Sequence, residues 1–408
     1  MPEEIVSRIL RLPGYGVYAW ETEESTGTLR LSVRQTATTP YYVCGGCGIS
    51  VRDVHSWTER QVRDLPWGTW QVWLVVEVHR VRCRRCSVRT ERLPFVTGKT
   101  QATTRLESAV AQDCEAAPVS RVAAKWGLPP ETVRRIDKRV LRRWAAGRRR
   151  TPLRYLGVDE IYLGARDKFL TVASDLDRGE PLWVGLERKR ETLDRFFAEA
   201  LPPRLRRAVR AVCVDMWEPF AQSLRTHLPH ARLVYDKFHV LRHVNEAVDE
   251  TRRAEFFRKG GEARGVLRGK RWLLLRRWAA LERDERHQVK DLLALNRRLA
   301  KAYLLKEQLA HLWDYTYEGA AWRFLTAWVR ALRWQRLPAF DKVAQLLSRH
   351  LDGILAYCHV KVPFGKVEAI NGNIRAMLRR GRGYRDHAYL LLKVQKATAE
   401  RRRLLRTA

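Results

Sequence analysis

The run Val209-Arg210-Ala211-Val212-Cys213-Val214-Asp215 predicts a strand in the middle of a sheet. Ala211 to Val214 are apolar without alternation, so a half-exposed strand is excluded and burial on both faces is expected. The strand then ends on a carboxylate. An aspartate so placed is costly unless it is solvated, paired or bound to a cation. Leu156-Gly157-Val158-Asp159 and Leu233-Val234-Tyr235-Asp236 end the same way. The carboxyl ends of strands in an α/β sheet are where ligands and chemistry collect.

Outward from that run, short apolar stretches at 155–158, 169–173, 182–186, 209–214 and 231–235 read as buried strands. Helical patterns fit at 191–200 and 217–227. Three strands followed by alternating helix and strand is the layout of a mixed α/β sheet. Residues 237–355 then turn helical, rich in Leu, Trp and Arg, and a last helical region follows Pro363-Phe364-Gly365. Glu368 lies near its start. Any one of these acids alone is explained by a helix N-cap or a surface ion pair. Together they suit hard cations such as Mg²⁺ or Mn²⁺, which need a few carboxylate oxygens and keep positions open for phosphate and water.

The first 95 residues are strand-rich, with a partly alternating run at 69–82. They hold Cys44-Gly45-Gly46-Cys47 and Cys83-Arg84-Arg85-Cys86. Four thiolates close a tetrahedral Zn²⁺ shell and leave no catalytic position open, so a structural site is expected, with a long hairpin joining the pairs. Four unrelated buried cysteines, or a redox pair, are the competing readings; His55 and His79 are substitute ligands. The remaining three of seven cysteines, Cys114, Cys213 and Cys358, are expected to pack. Next, Val119–Trp126, Gly127-Leu128-Pro129 and a segment from Pro130 read as helix, turn and helix. Val133 and Ile136 face its core, which turns Arg134, Arg135, Lys138 and Arg139 outward, a face suited to a major groove. A plain helical hairpin with a solvated basic face is the alternative.

The 408 residues carry 78 Lys+Arg against 45 Asp+Glu, a net charge of +33. That surplus excludes an ordinary metabolic enzyme and favours nucleic acid as partner. No run approaches the ~20 apolar residues of a membrane span. Met1-Pro2-Glu3-Glu4 does not open a secretory signal, so a cytoplasmic location is expected. Most of Trp272, Trp278, Trp313, Trp322, Trp328 and Trp334 are expected in the core. Arg375, Arg379, Arg380, Arg382 and Arg385, soon after Glu368, are candidates for phosphate contacts.

These features, with Gly157-Val158-Asp159-Glu160, Val214-Asp215-Met216, Tyr235-Asp236-Lys237-Phe238-His239, Ala302–Glu307, Asp352–Tyr357 and Val367-Glu368-Ala369-Ile370-Asn371, make the chain resemble insertion-sequence transposases of the ISL-three type. The resemblance covers nearly the whole chain. It implies a multidomain α+β protein: zinc-binding β domain at 1–95, helix-turn-helix at 96–150, RNase H-like α/β core from 151–240 and 356–408, and an inserted all-α domain at 241–355. It further implies that Asp159, Asp215 and Glu368 form a DDE triad holding two Mg²⁺ or Mn²⁺ ions. The triad would cut transposon ends in double-stranded DNA and join them to target DNA, with at least a dimer in the synaptic complex. Asp236 and His239 match a motif without an assigned role. A non-catalytic zinc-containing DNA-binding protein, and a nuclease sharing the core, are the alternative readings.

Overall fold

A computed structural model of the chain describes residues 3–148, 152–164, 168–258, 269–381 and 384–407. Arg382 lies outside them. The chain divides into two compact units, one ending at Arg148 and the other beginning at Arg149.

The first unit is a twisted sheet with a helical bundle after it. Helix α1 (Glu3–Leu10) lays Val6 and Leu10 against strands β1 (Tyr15–Glu23) and β2 (Thr28–Gln35). The short strands β3 (Tyr42–Val43) and β4 (Ser50–Val51) flank the first cysteine pair. Strands β5 (Val54–Arg63) and β6 (Gln71–Cys83) make the expected long hairpin, and β7 (Ser87–Thr90) pairs with β6. Val72, Leu74, Val76 and Val78 alternate inward along β6, the period-2 pattern of a strand with one buried face.

Helices α2 (Thr104–Ala116), α3 (Val119–Trp126) and α4 (Pro130–Ala146) follow. Gly127 ends α3 at φ 55°, the left-handed cap that favours glycine, and Pro130 fits the first turn of α4. Val122, Ala123, Val133 and Ile136 meet in one core with Leu106 and Val110. Arg63 ties this bundle to the sheet by donating to the carbonyls of Trp126 (2.8 Å) and Gly127 (3.1 Å). Asp64 is bound by Arg105 and by the Thr103 hydroxyl.

The second unit is built on a five-stranded sheet of β8 (Tyr155–Gly164), β9 (Lys168–Asp175), β10 (Glu180–Leu186), β11 (Ala211–Val214) and β12 (Arg232–Tyr235). Its order is β10-β9-β8-β11-β12. The first three strands pair antiparallel and the last two run parallel to β8. Every residue of β11 is buried, as its unbroken apolar run requires. Helices α5 (Arg190–Glu199), α6 (Pro203–Arg206) and α7 (Glu218–His227) lie between the later strands.

The rest is helical: α8 (Lys237–Arg258), α9 (Arg271–Leu275), α10 (Arg283–Leu295), α11 (Arg297–Leu309), α12 (Glu318–Leu332), α13 (Pro338–Arg349), α14 (Leu351–His359), α15 (Phe364–Arg380) and α16 (His387–Thr407). These helices share one continuous hydrophobic core with the sheet. Two glycines set the packing. A Cβ on Gly157 would stand 2.7 Å from Leu176 Cδ2 and 3.3 Å from Val367 Cγ2, so its absence lets α15 press onto β8. Gly353 does the same for α14 against the Tyr235 ring.

Two expectations need correction. Asp159 does not end its strand, because β8 continues to Gly164 beside β9. Only its pairing with β11 stops, at Val158. The tryptophans divide as well. Trp313 and Trp328 are buried, whereas Trp272, Trp322 and Trp334 are 68%, 48% and 84% exposed. In α12 the buried stripe is Ala321, Leu325, Trp328 and Leu332, and Trp322 falls off it by helical phase.

Candidate functional site

The cysteine site follows from two tight turns brought together by the β5–β6 hairpin. The sulfurs of Cys44, Cys47, Cys83 and Cys86 all lie within 4.8 Å of one another, with Cys47 and Cys83 at 3.5 Å. Tetrahedral Zn²⁺ with bonds of about 2.3 Å needs sulfurs at about that spacing. The Cys47 amide, against burial and helped by that of Gly46, lowers the Cys44 pKa to about 7, while a hydrogen bond with Cys47, then burial, pushes Cys86 up to about 12. Sulfurs so placed favour a shared cation. Gly45 has no room for a side chain, since a Cβ would collide with the Thr90 carbonyl that its amide binds. His55 and His79 stand apart, His55 against Ser56 and His79 paired with Glu91 at 2.8 Å. Cys114 and Cys213 are buried and Cys358 is partly so.

On α4, Arg135 is exposed and Arg134 pairs with Glu131 at 2.7 Å, while Lys138 is half-buried. Arg139 departs from the outward face expected of it. Its guanidinium turns to Glu107, 3.3 Å away, and Arg143 reaches the same carboxylate at 3.1 Å. Glu107 is wholly buried. Burial raises its pKa against the pull of those arginines.

The carboxylates gather through strand register. Val158, Val214 and Tyr235 are paired partners across β8, β11 and β12. Asp159, Asp215 and Asp236 are the next residues on the three adjacent strands, so they emerge in a row. Asp215 accepts the Trp217 amide (3.2 Å) just before α7, and Asp236 accepts the Phe238 amide (2.8 Å) in the first turn of α8. Glu368, exposed on α15, shares a cavity of about 350 Å³ with Asp159, Glu160, Asp236, His239, Asn371 and Arg375.

Three side chains hold these acids. Asn371, one turn beyond Glu368, donates to Asp159 Oδ2 at 2.5 Å, and His239 Nε2 lies 3.4 Å from Asp159 Oδ1. Arg188, in the loop after β10, binds Asp215 and stands 3.2 Å from Glu160 Oε1. Asp159 and Glu368 thus share one cavity and Asp215 stands beside Asp159 in the row, but the three are not drawn to metal-ligand spacing. Among the described residues only the cysteines are gathered that tightly.

The fields are strong. Burial, then repulsion from Asp215 and Asp159, raises Glu160 to about 7. Burial raises Asp236 to about 6 and also raises Asp215, against Arg188. Burial opposes charge on His239, but its bond to Asp159 and the surrounding acids win and raise its pKa. Glu160 Oε2 is buried without a hydrogen-bond partner. Hard carboxylate oxygens, mutually repelling and incompletely satisfied, fit a divalent cation. Sequence reasoning did not assign roles to Glu160, Arg188 or Asn371. Glu160, beside Asp159, and Asn371, three residues past Glu368, each stand in a quoted motif, whereas Arg188 carried no local signal.

Of the other basic candidates, Arg375 lines the cavity, Arg379 and Arg385 are exposed, and Arg380 Nη2 sits 3.2 Å from Met377 Sδ.

One chain thus carries a four-cysteine cluster, a helix-turn-helix and an α/β sheet edged with carboxylates. Residues 40–86 match the zinc-finger of transposase IS204/IS1001/IS1096/IS1165, residues 91–141 the helix-turn-helix domain of transposase family ISL3, and residues 156–394 the transposase domain of that family. The chain belongs to the ISL3 transposase family. It is 35% identical over 389 residues to the transposase for insertion sequence element IS1001 of Bordetella parapertussis, covering 94% of this chain and 95% of that one. It is 27% identical over 380 residues to the transposase for IS1557 of Mycobacterium tuberculosis, covering 85% and 84%. Among the described residues no helix is long and apolar enough to cross a membrane.

Proposed function

We propose that the chain cuts DNA at the ends of its insertion sequence and joins them to a target, through a divalent-metal DDE site of Asp159, Asp215 and Glu368. The observation that carries this reading is the row of aspartates one residue past the Val158–Val214–Tyr235 register, of which Asp159 and Asp236 line one cavity with Glu368. Three antiparallel strands followed by two parallel ones support an RNase H-like core. The described helices between residues 241 and 355 would then be a helical insertion within it.

Two bound Mg²⁺ or Mn²⁺ ions would supply Lewis-acid activation of the attacking oxygen and neutralise charge on the leaving one. Asp159 and Asp215 would share them, and Glu368 would hold the second. Asn371 and His239 orient the Asp159 carboxylate, which limits its rotation before substrate arrives. Arg375 and Arg242, on the cavity wall, suit the phosphates flanking the cut. Arg379, Arg380 and Arg385 would extend that contact, and Arg134, Arg135 and Lys138 would read the end sequence through α4. Holding two element ends at once calls for a dimer or larger assembly.

The test uses full-length protein and DNA carrying the element's terminal repeats. Asp215→Asn should bind these ends as the parent does and lose Mg²⁺-dependent nicking. Parent protein that binds the ends but never nicks them, in Mg²⁺ or Mn²⁺, supports a non-catalytic DNA-binding role instead.

A further inference from the structure

The proposed cation site already contains a cation. Arg188 sits between Leu186, the last residue of β10, and Arg190, the first of α5. Its guanidinium binds Asp215, lies 3.2 Å from Glu160 Oε1, and is stacked 4.4 Å from the centre of the Trp217 ring. Both acids are nearly buried, with 6% and 13% of their side chains exposed.

The backbone is shaped to aim it there. Glu187, the preceding residue, has φ 76°, a left-handed conformation that is costly for a residue other than glycine. Two bonds to β9 hold Glu187 in place: its amide donates to the Phe169 carbonyl at 2.9 Å, and its carbonyl accepts from the Thr171 hydroxyl at 2.6 Å. The arginine's grip is incomplete all the same. Glu160 Oε2 and Arg188 Nε are both buried without a hydrogen bond. A fixed fork with one positive charge does not satisfy two converging carboxylates.

Resting on the metal-site reading above, we propose that Arg188 is a tethered counter-ion: it holds Asp215 and Glu160 in place before metal arrives, and a divalent cation displaces it from Asp215. Guanidinium and metal compete for the same oxygen. Arg188 is a positioning residue that keeps the acids from repelling one another apart and, by competing, weakens cation binding in the absence of DNA. The Trp217 ring, 38% exposed, gives the displaced guanidinium a surface to rest on.

The experiment is a Mn²⁺ titration of the zinc-loaded, full-length protein without DNA, followed by calorimetry and by the spin resonance of free Mn²⁺, with Tm measured in chelator. Arg188→Met should tighten Mn²⁺ binding by about tenfold or more, since one positive charge leaves the site. It should also lower Tm in chelator and show a larger recovery on adding Mn²⁺ than the parent. Arg188→Lys, which keeps the charge but loses the fork, should fall between the two and serves if the Met variant does not fold. A residue needed only for folding would lower affinity when removed. Equal or weaker Mn²⁺ binding in both variants therefore overturns the proposal. If the parent binds Mn²⁺ at a site that Asp215→Asn abolishes, such a result removes the counter-ion role alone. If neither parent nor variants bind Mn²⁺, the metal-site reading falls with it.

Discussion

Replacing Gly157 with alanine tests how the Glu368 helix is seated. The added methyl would stand 2.7 Å from Leu176 Cδ2, 3.2 Å from Leu176 Cγ and 3.3 Å from Val367 Cγ2. Leu176 and Val367 are buried and enclosed, so neither yields freely. Overpacking of this kind costs about 1–3 kcal/mol. At roughly 2–4 °C per kcal/mol for a unit of this size, Tm should fall by about 2–12 °C. The easiest relief is outward movement of α15, which carries Val367, Glu368 and Asn371 together. That movement breaks the Asn371–Asp159 bond and takes Glu368 away from Asp159. Cleavage should then fall more than the folded fraction does, while binding of the DNA ends by the first unit stays unchanged. The measurements are a thermal melt, single-turnover nicking in Mg²⁺, and end binding by gel shift. Unaltered Tm and nicking would refute the claim that Gly157 sets the helix against β8.

Substituting Cys83 with alanine should release the bound zinc and weaken end binding, read by metal analysis and gel shift, since three sulfurs no longer close the shell. Arg135→Ala should weaken end binding and reduce its salt slope by about one, whereas Arg139→Ala should lower Tm because Glu107 stays buried with less compensation. An equal effect of both on the salt slope would contradict that division. For pH, the sign follows from burial: Glu160 is raised from 4.5 to about 7 in the folded state, which then binds the proton more tightly than the unfolded chain. Its contribution is present below pH 4.5 and lost as pH rises through about 7. In chelator, the parent's Tm relative to Glu160→Gln should therefore decline from pH 5 to pH 7.5.

Local pattern revealed the elements well where one residue type had one physical job. Four apolar residues at 211–214 admit only a buried strand, and two C-x-x-C pairs admit few arrangements besides a shared metal. The Gly127–Pro130 turn declared itself through backbone chemistry. Contacts set by strand order were not legible. Arg188 meets Asp215 only because β10 and β11 lie in one sheet, and nothing in residues 187–189 points to a carboxylate partner. Asp159 looked like a strand end because the apolar run stops there, although pairing with β9 carries β8 onward. Arg139 sits on the expected helix, yet the buried Glu107 on α2 claims it. Helical phase against a core that only the fold defines decided which tryptophans are inside.

The central claim is that Asp159, Asp215 and Glu368 together seat divalent cations. The most direct measurement is anomalous diffraction from crystals of the protein with its end DNA, grown in Mn²⁺. Two manganese peaks bridging those three carboxylates, with Arg188 moved off Asp215, are the expected result. Manganese bound elsewhere, with Asp159 still held by Asn371 and His239 and Asp215 by Arg188, would contradict it.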